Sequence, residues 1–205
     1  MKKLFIATVL FALSTQVNAA GMNLVENGSF EDPNIPTGTW SVHQTGATGL
    51  GWTTEGQGVE IRDNVAGTAY DGAQFAELDS HSNSAIQQIL QTTVGQSYLL
   101  SFAYSPRINQ PESTNGISVT WNGVELGPVS AAGSSSHDWT VFEFMVAGTG
   151  QDTLKFTAIG TNDSLGGSLD AVSVSAVPIP AAAFLFAPAL LGFMGLRRKA
   201  KSSAA

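Results

Sequence analysis

The sequence predicts an all-β protein: one antiparallel β-sandwich between two apolar targeting segments. Three observations predict it. Short stretches alternate apolar and polar residues with period two. Gly, Asn, Ser and Pro separate those stretches, as turns require. No window before Val177 carries the apolar stripe of an amphipathic helix.

The chain opens with a secretory leader over 1–19. Lys2-Lys3 form its basic end, Leu4 to Leu13 its apolar run, and Val17-Asn18-Ala19 a small-residue cleavage site. Cleavage is expected after Ala19, with Ala20 as the near alternative. The exported domain then runs from 20 to 176, and its 157 residues suffice for one sizeable core. Strands are expected at Trp40–His43, Val59–Arg62 and Gln74–Leu78. The alternation is cleanest over Gln96–Tyr104, where Tyr98, Leu100, Phe102 and Tyr104 share a face. Ile117, Val119 and Trp121 form the next strand, and Asn122-Gly123 signals a type I′ hairpin. Phe142, Phe144 and Val146, then Leu154, Phe156 and Ala158, then Leu169, Val172 and Val174, mark three more. Ser105–Gly116 and Gly127–His137 read as long polar loops, the usual place for a binding rim.

The last 29 residues, 177–205, differ in kind. Val177 to Leu196 holds no charged residue, and at about 1.5 Å per residue it spans roughly the 30 Å core of a bilayer. Arg197, Arg198, Lys199 and Lys201 follow, and this basic end is expected to stay cytoplasmic. Six of the nine basic residues thus belong to the targeting segments. The exported domain keeps Arg62, Arg107 and Lys155 against all sixteen acidic residues, a formal charge of −13. Such a surface excludes nucleic acid as a partner. There is no cysteine, so no disulfide supports the fold.

The tail resembles the PEP-CTERM sorting signal of Gram-negative bacteria. Val177-Pro178-Ile179-Pro180-Ala181-Ala182, the apolar run and the Arg197-Arg198 cluster stand in that family's order, with Ile179 in place of the name-giving glutamate. The resemblance implies an exosortase-like membrane protease as partner. It also implies inner-membrane anchoring before sorting, and then a cell-surface or extracellular-matrix location beside exopolysaccharide.

A second resemblance spans Asn23 to Ser175. Asn23-Leu24-Val25-Glu26-Asn27-Gly28-Ser29-Phe30-Glu31 is similar to the opening of galactose-binding-like jelly rolls, which include many carbohydrate-binding modules. Gly51-Trp52, Gly72 to Leu78, Gln87 to Phe102, Trp121-Asn122-Gly123 and Ser168 to Val172 follow in the expected order. The resemblance implies a jelly-roll sandwich and a structural calcium ion. Its ligands would be Glu31 and Asp170, with Asn27 and Asp79 as further candidates, a set of hard oxygens that suits calcium.

Sugar recognition needs exposed rings for pyranose C–H faces and polar groups for hydroxyls. Trp139, on the face opposite Phe142 and Phe144, is the best exposed candidate. Tyr104, Arg107 and Asn109 lie where a strand enters a polar loop. Trp52 and Trp121 read as core. His43, His81 and His137 lack zinc-ligand spacing, and no nucleophile elbow or phosphate loop occurs. His137-Asp138 reads as solvated turn chemistry, and Glu60, Glu77 and Asp79 are the carboxylates available for hydrolysis. The expected protein is therefore not an enzyme. It is a surface protein that engages extracellular polysaccharide. The alternatives are an adhesive or structural protein with a protein partner, and then a degenerate hydrolase.

Overall fold

Two antiparallel sheets pack face to face in the computed structural model, which describes residues 21–178. The leader over 1–19 and nearly all of the tail lie outside the described residues. Among the described residues no helix is long and apolar enough to cross a membrane. The strands are β1 (Thr39–His43), β2 (Thr53–Glu55), β3 (Val59–Asp63), β4 (Gln74–Glu77), β5 (Ala85–Gln91) and β6 (Ser97–Ser105). After one 3-10 turn at Glu112–Thr114 come β7 (Gly116–Trp121), β8 (Val124–Val129), β9 (Thr140–Ala147), β10 (Gln151–Ile159) and β11 (Ser168–Ala176). One sheet has the order β1-β3-β4-β11-β6-β9, the other β2-β5-β10-β7-β8. The expected strands are present. β2, β5 and β8 are additional, and β8 takes in the start of the segment read as a loop from Gly127.

The alternation sets the core. On β6, Tyr98, Leu100, Phe102 and Tyr104 point inward, and on β10 Leu154, Phe156 and Ala158 meet them. Phe102 joins the sheets, with its ring edge-on to Phe156 at 5.1 Å and stacked on Phe142 at 5.7 Å. Trp52 closes one end between Phe30 and Phe156. Each fully buried large apolar side chain contributes about 1.5–3 kcal/mol. Trp52 and Trp121 are indeed core, and each indole N–H is satisfied by a backbone carbonyl, of Asn27 and Ala147. Asn122 and Gly123 both have positive φ, 52° and 76°, as a type I′ turn demands.

The N-terminal segment runs beside β11 and ties the two ends of the domain. Leu24 N–H donates to Val174 O, and Val172 N–H to Gly28 O, each at 2.9 Å. Asn23 Oδ1 accepts from the amides of Val25 and Val174. At the other edge of β11, pairing with β6 shifts register between Asp170 and Ser173, where Ala171 takes a positive φ of 49°. Val177, at the start of the tail, belongs to this compact unit; its N–H donates to Ser97 O and its carbonyl accepts from Gln96.

Candidate functional site

Strand register gathers an unusual set of polar residues on the outer face of the six-stranded sheet. Glu60 of β3 lies opposite Glu77 of β4, Arg62 opposite Phe75, and Ser168 of β11 opposite Glu77. The residues between them, Ile61, Ala76 and Leu169, face the core. Loops 64–73 and 130–139 close over this outer face, so its charges are buried although it is not the sandwich interior. Glu77, only 1% exposed, is bracketed by Arg62 Nε at 2.9 Å and Arg107 Nη1 at 2.5 Å. It also accepts the Gly166 amide at 3.0 Å, while Arg62 reaches on to Glu60. Burial pushes the Glu77 carboxyl above its ordinary range, against the downward pull of both guanidiniums. Buried ions persist only when paired in this way. Glu60 and Glu77 are therefore committed to arginines rather than set across a cleft.

Above this network sits an aromatic cluster. His137 packs edge-on to Phe75 at 4.9 Å and to Trp139 at 5.0 Å. Its Nδ1 lies 2.9 Å from Thr68 O, so it must donate there, leaving Nε2 to accept from Ser168 Oγ at 3.4 Å. Burial lowers the His137 pKa against the raising effect of its bond to Thr68 O, and Arg107 and Arg62 push it down further. His137 is thus a packed, hydrogen-bonded residue, where the sequence suggested a solvated turn. Gly67 makes this possible: its φ is 136°, and any Cβ there would overlap the imidazole. Trp139 Nε1 donates to the same Thr68 carbonyl at 3.0 Å, and Tyr70 meets the indole edge-on at 6.2 Å. Trp139 is half-buried, Tyr70 is 51% exposed, and Trp40, opposite Arg62 on β1, is 57% exposed.

Of the four expected sugar contacts, Trp139 and Arg107 both belong to this face. Tyr104 does not. It is buried between the sheets, where its hydroxyl donates to Asn115 O and accepts from Ala131 N–H. Asn109 is exposed in the neighbouring loop, at φ 57°, with its amide bound to Ser134 O. Tyr70, Trp40 and Arg62 are the residues the sequence reading missed, and Glu77, read there as a carboxylate available for hydrolysis, is an ion-pair partner instead. The outer face of the five-stranded sheet offers less. It presents Gln87, Thr153, Thr157 and Thr120, with one Glu55–Lys155 pair at 2.7 Å. A shallow depression of about 440 Å³ at Glu112, Ser113, Gly116, Ser130, Ile159 and Gly160 has no aromatic lining.

The residues expected to hold calcium separate into two places. Glu31 and Asp170 grip the same loop: Glu31 Oε1 accepts the amides of Ala73 and Gln74, each at 2.8 Å. Asp170 Oδ2 accepts those of Tyr70 and Asp71, at 2.8 and 3.0 Å. Burial drives the Asp170 carboxyl up to about 7, and the nearby Asp71 carboxylate adds to the rise. Among the described residues no basic side chain forms an ion pair with Glu31, Asp71 or Asp170. An acidic, oxygen-only cradle without a counter-charge fits a hard cation such as calcium. No three His, Cys, Asp or Glu side chains converge at metal-binding range among the described residues, so carbonyl and water oxygens would complete the shell. Asn27 folds its own turn instead: Oδ1 accepts the Asp32 amide and Nδ2 donates to Leu50 O. Asp79 lies at the far end of β4, four residues beyond Phe75, about 13 Å along the strand.

No protein family model matches the chain. Two multifunctional-autoprocessing repeats-in-toxin proteins, from Vibrio vulnificus and Vibrio cholerae, are 29% and 30% identical to it over 154 residues, 73% of this chain. The chain spans about 3% of the length of each of those toxins. Among solved structures, the Stig cyclase Fisc from Fischerella sp. TAU, in complex with an indole compound, is similar at a TM-score of 0.56. The match has 14% identity and covers 78% of this chain and 99% of that one. The cleaved adhesin domain of Lys-gingipain from Porphyromonas gingivalis is similar at 0.52, with 12% identity over 69% of this chain and all of that one. A family 35 carbohydrate binding module from Clostridium thermocellum aligns at 0.45, with 15% identity over 66% of this chain and 97% of that one. What this chain shares with the first two of these structures is the fold.

Proposed function

We propose that the domain is a non-catalytic binding module for extracellular polysaccharide, carried on an exported protein that an exosortase-like system sorts to the cell surface. One observation carries the binding part: partly exposed Tyr70 and Trp139 meet edge to face, and Trp139 packs on His137 and on Phe75, the strand neighbour of Arg62 in the buried arginine–glutamate network. Rings of this kind stack against the apolar faces of sugars, and Arg107, its side chain 16% exposed, is the member of the network nearest to solvent for a hydroxyl. The rings do not have to be ordered on binding, because Thr68, Phe75 and His137 already hold the indole. That removes part of the entropic cost of association. Calcium held by Glu31 and Asp170 would fix loop 70–74 and with it Tyr70. The leader, the apolar tail and the Arg197-Arg198 end support export and sorting.

The adhesive alternative is favoured by exposed Trp40, Val141 and Met145, which lie on the two edge strands of the same sheet. Electrophoresis of the full chain through gels containing different polysaccharides separates the two readings. Retardation in at least one glycan, weakened tenfold or more by Trp139→Ala and by Tyr70→Ala, is the expected result. A folded chain that no glycan retards would overturn the sugar reading in favour of a protein partner.

A further inference from the structure

Asp79 and Asn83 face each other across an isolated antiparallel bridge just beyond β4. Directly opposed residues carry their side chains on one face, with Cβ atoms about 5 Å apart. Asp79 is completely buried, and its Oδ1 has no hydrogen-bond partner. The Oδ1 of Asn83 is likewise buried and unpartnered. The amide cannot turn its nitrogen toward the carboxylate, because Nδ2 donates to Gly160 O at 3.0 Å. Two buried acceptor oxygens without a donor thus belong to directly opposed residues. Native structures rarely leave such atoms empty-handed, and when they do an ion or water is the usual explanation.

The surroundings add a second carboxylate and, among the described residues, no basic side chain in an ion pair. Asp79 Oδ2 accepts the Asp163 amide at 3.3 Å, which brings the Asp163 carboxylate onto the same corner. That carboxylate is itself held by the Thr114 hydroxyl at 2.8 Å and the Leu165 amide at 3.3 Å. Among the described residues neither Asp79 nor Asp163 forms an ion pair with a basic side chain. Burial raises the Asp79 pKa, against hydrogen bonds from the Asp163, Ser164 and Leu165 amides that lower it.

We propose that Asp79 and Asn83, backed by Asp163, form a second site for a hard divalent cation of the calcium class. It is separate from the Glu31 and Asp170 cradle. Its two Oδ1 atoms are ready-made hard-oxygen ligands, and carbonyl and water oxygens would bring the shell to six to eight. The ion would clamp the turn at 79–83 to the loop at 160–165, which already meet through the Asn83 amide and Asn162 Oδ1 at 3.1 Å.

The test is equilibrium dialysis of the full chain, stripped with EDTA and then titrated with calcium chloride. Asp170→Asn isolates the new site, so this variant should still bind one calcium ion, and Asp79→Asn added to it should bind none. Asn83→Asp guards against a variant that simply fails to fold: a second carboxylate at an oxygen site should tighten calcium binding about tenfold. Retention of full calcium stoichiometry in Asp79→Asn, or no gain in affinity from Asn83→Asp, would overturn the proposal. Either result would leave a water or a shared proton between the two oxygens.

Discussion

Replacing Glu77 by Gln should be among the most damaging isosteric changes in this domain. The side chain keeps its volume and its bond to the Gly166 amide but loses its charge. Arg62 then keeps Glu60, while Arg107 loses the one carboxylate it pairs with among the described residues, in a site where Glu77 was 1% exposed. Removing one partner of a buried ion pair costs about 3–5 kcal/mol, because the remaining charge is uncompensated. The Arg107 side chain is 16% exposed and can turn partly to water, which puts the expected loss near the lower end, about 3 kcal/mol. For a domain of this size that is a fall in Tm of roughly 6–12 °C. Urea unfolding followed by tryptophan fluorescence, at fixed pH and calcium, measures it. Adding Arg107→Met to Glu77→Gln removes the stranded charge, so the double variant should recover at least about 1 kcal/mol. A single variant within about 1 kcal/mol of the parent, or two effects that simply add, would refute the account of this face as a coupled ion network.

Three further outcomes follow from individual groups. Asp170 has an ordinary value of 3.8 and a folded value of about 7, so the folded state binds its proton more tightly. Its stabilisation is complete below about pH 4 and is lost as the pH rises through 7, a fall of up to about 4 kcal/mol. In EDTA, stability should therefore decline over that interval, and saturating calcium should flatten the decline. The lowered pKa values of His43 and His137 tilt the curve the other way below pH 6.5, so the difference with and without calcium is the quantity to read. Gly67→Ala forces a Cβ into the His137 ring at φ 136°, and should cost about 1–3 kcal/mol and shift Trp139 fluorescence. Asp152 is pushed up by burial, yet bonds from Thr149, Thr92 and Asn122 outweigh this and hold its pKa at about 2. Its contribution is present above about pH 4 and is lost as the pH falls through 2; at neutral pH Asp152→Ala should lower stability by about 1–3 kcal/mol in urea titrations.

Period-two alternation made the core legible, and the failures have physical causes that can be named. β5 escaped because Gln88 occupies an inward position between Ile86 and Leu90, where its amide serves Glu26 and Gly51. One half-buried polar residue is enough to break a short apolar pattern. β8 escaped because Gly127-Pro128 reads as a turn; an edge strand with a register shift beside it tolerates both. β2 has three residues, too few to show a period. Tyr104 is a different case: its parity with Leu100 and Phe102 already placed it in the core, and proximity to a polar loop did not change the side it faces.

The binding face was hidden for a deeper reason. Its parts come from positions 40, 60–62, 68–77, 107, 137–139 and 168, and no spacing along the chain links them. Only the pairing of β1, β3, β4 and β11 puts Trp40, Arg62 and Phe75 in one row, and Glu60, Glu77 and Ser168 in the next. On an ordinary sandwich the outward residues of these strands would meet water. Here two loops cover them, and the arginine–glutamate network replaces the water that the charges give up. That substitution accounts for where two of the domain's three basic residues are spent. Arg62 and Arg107 neutralise Glu60 and Glu77 on this face, so in a domain with −13 of formal charge its scarce positive groups hold the covered face together.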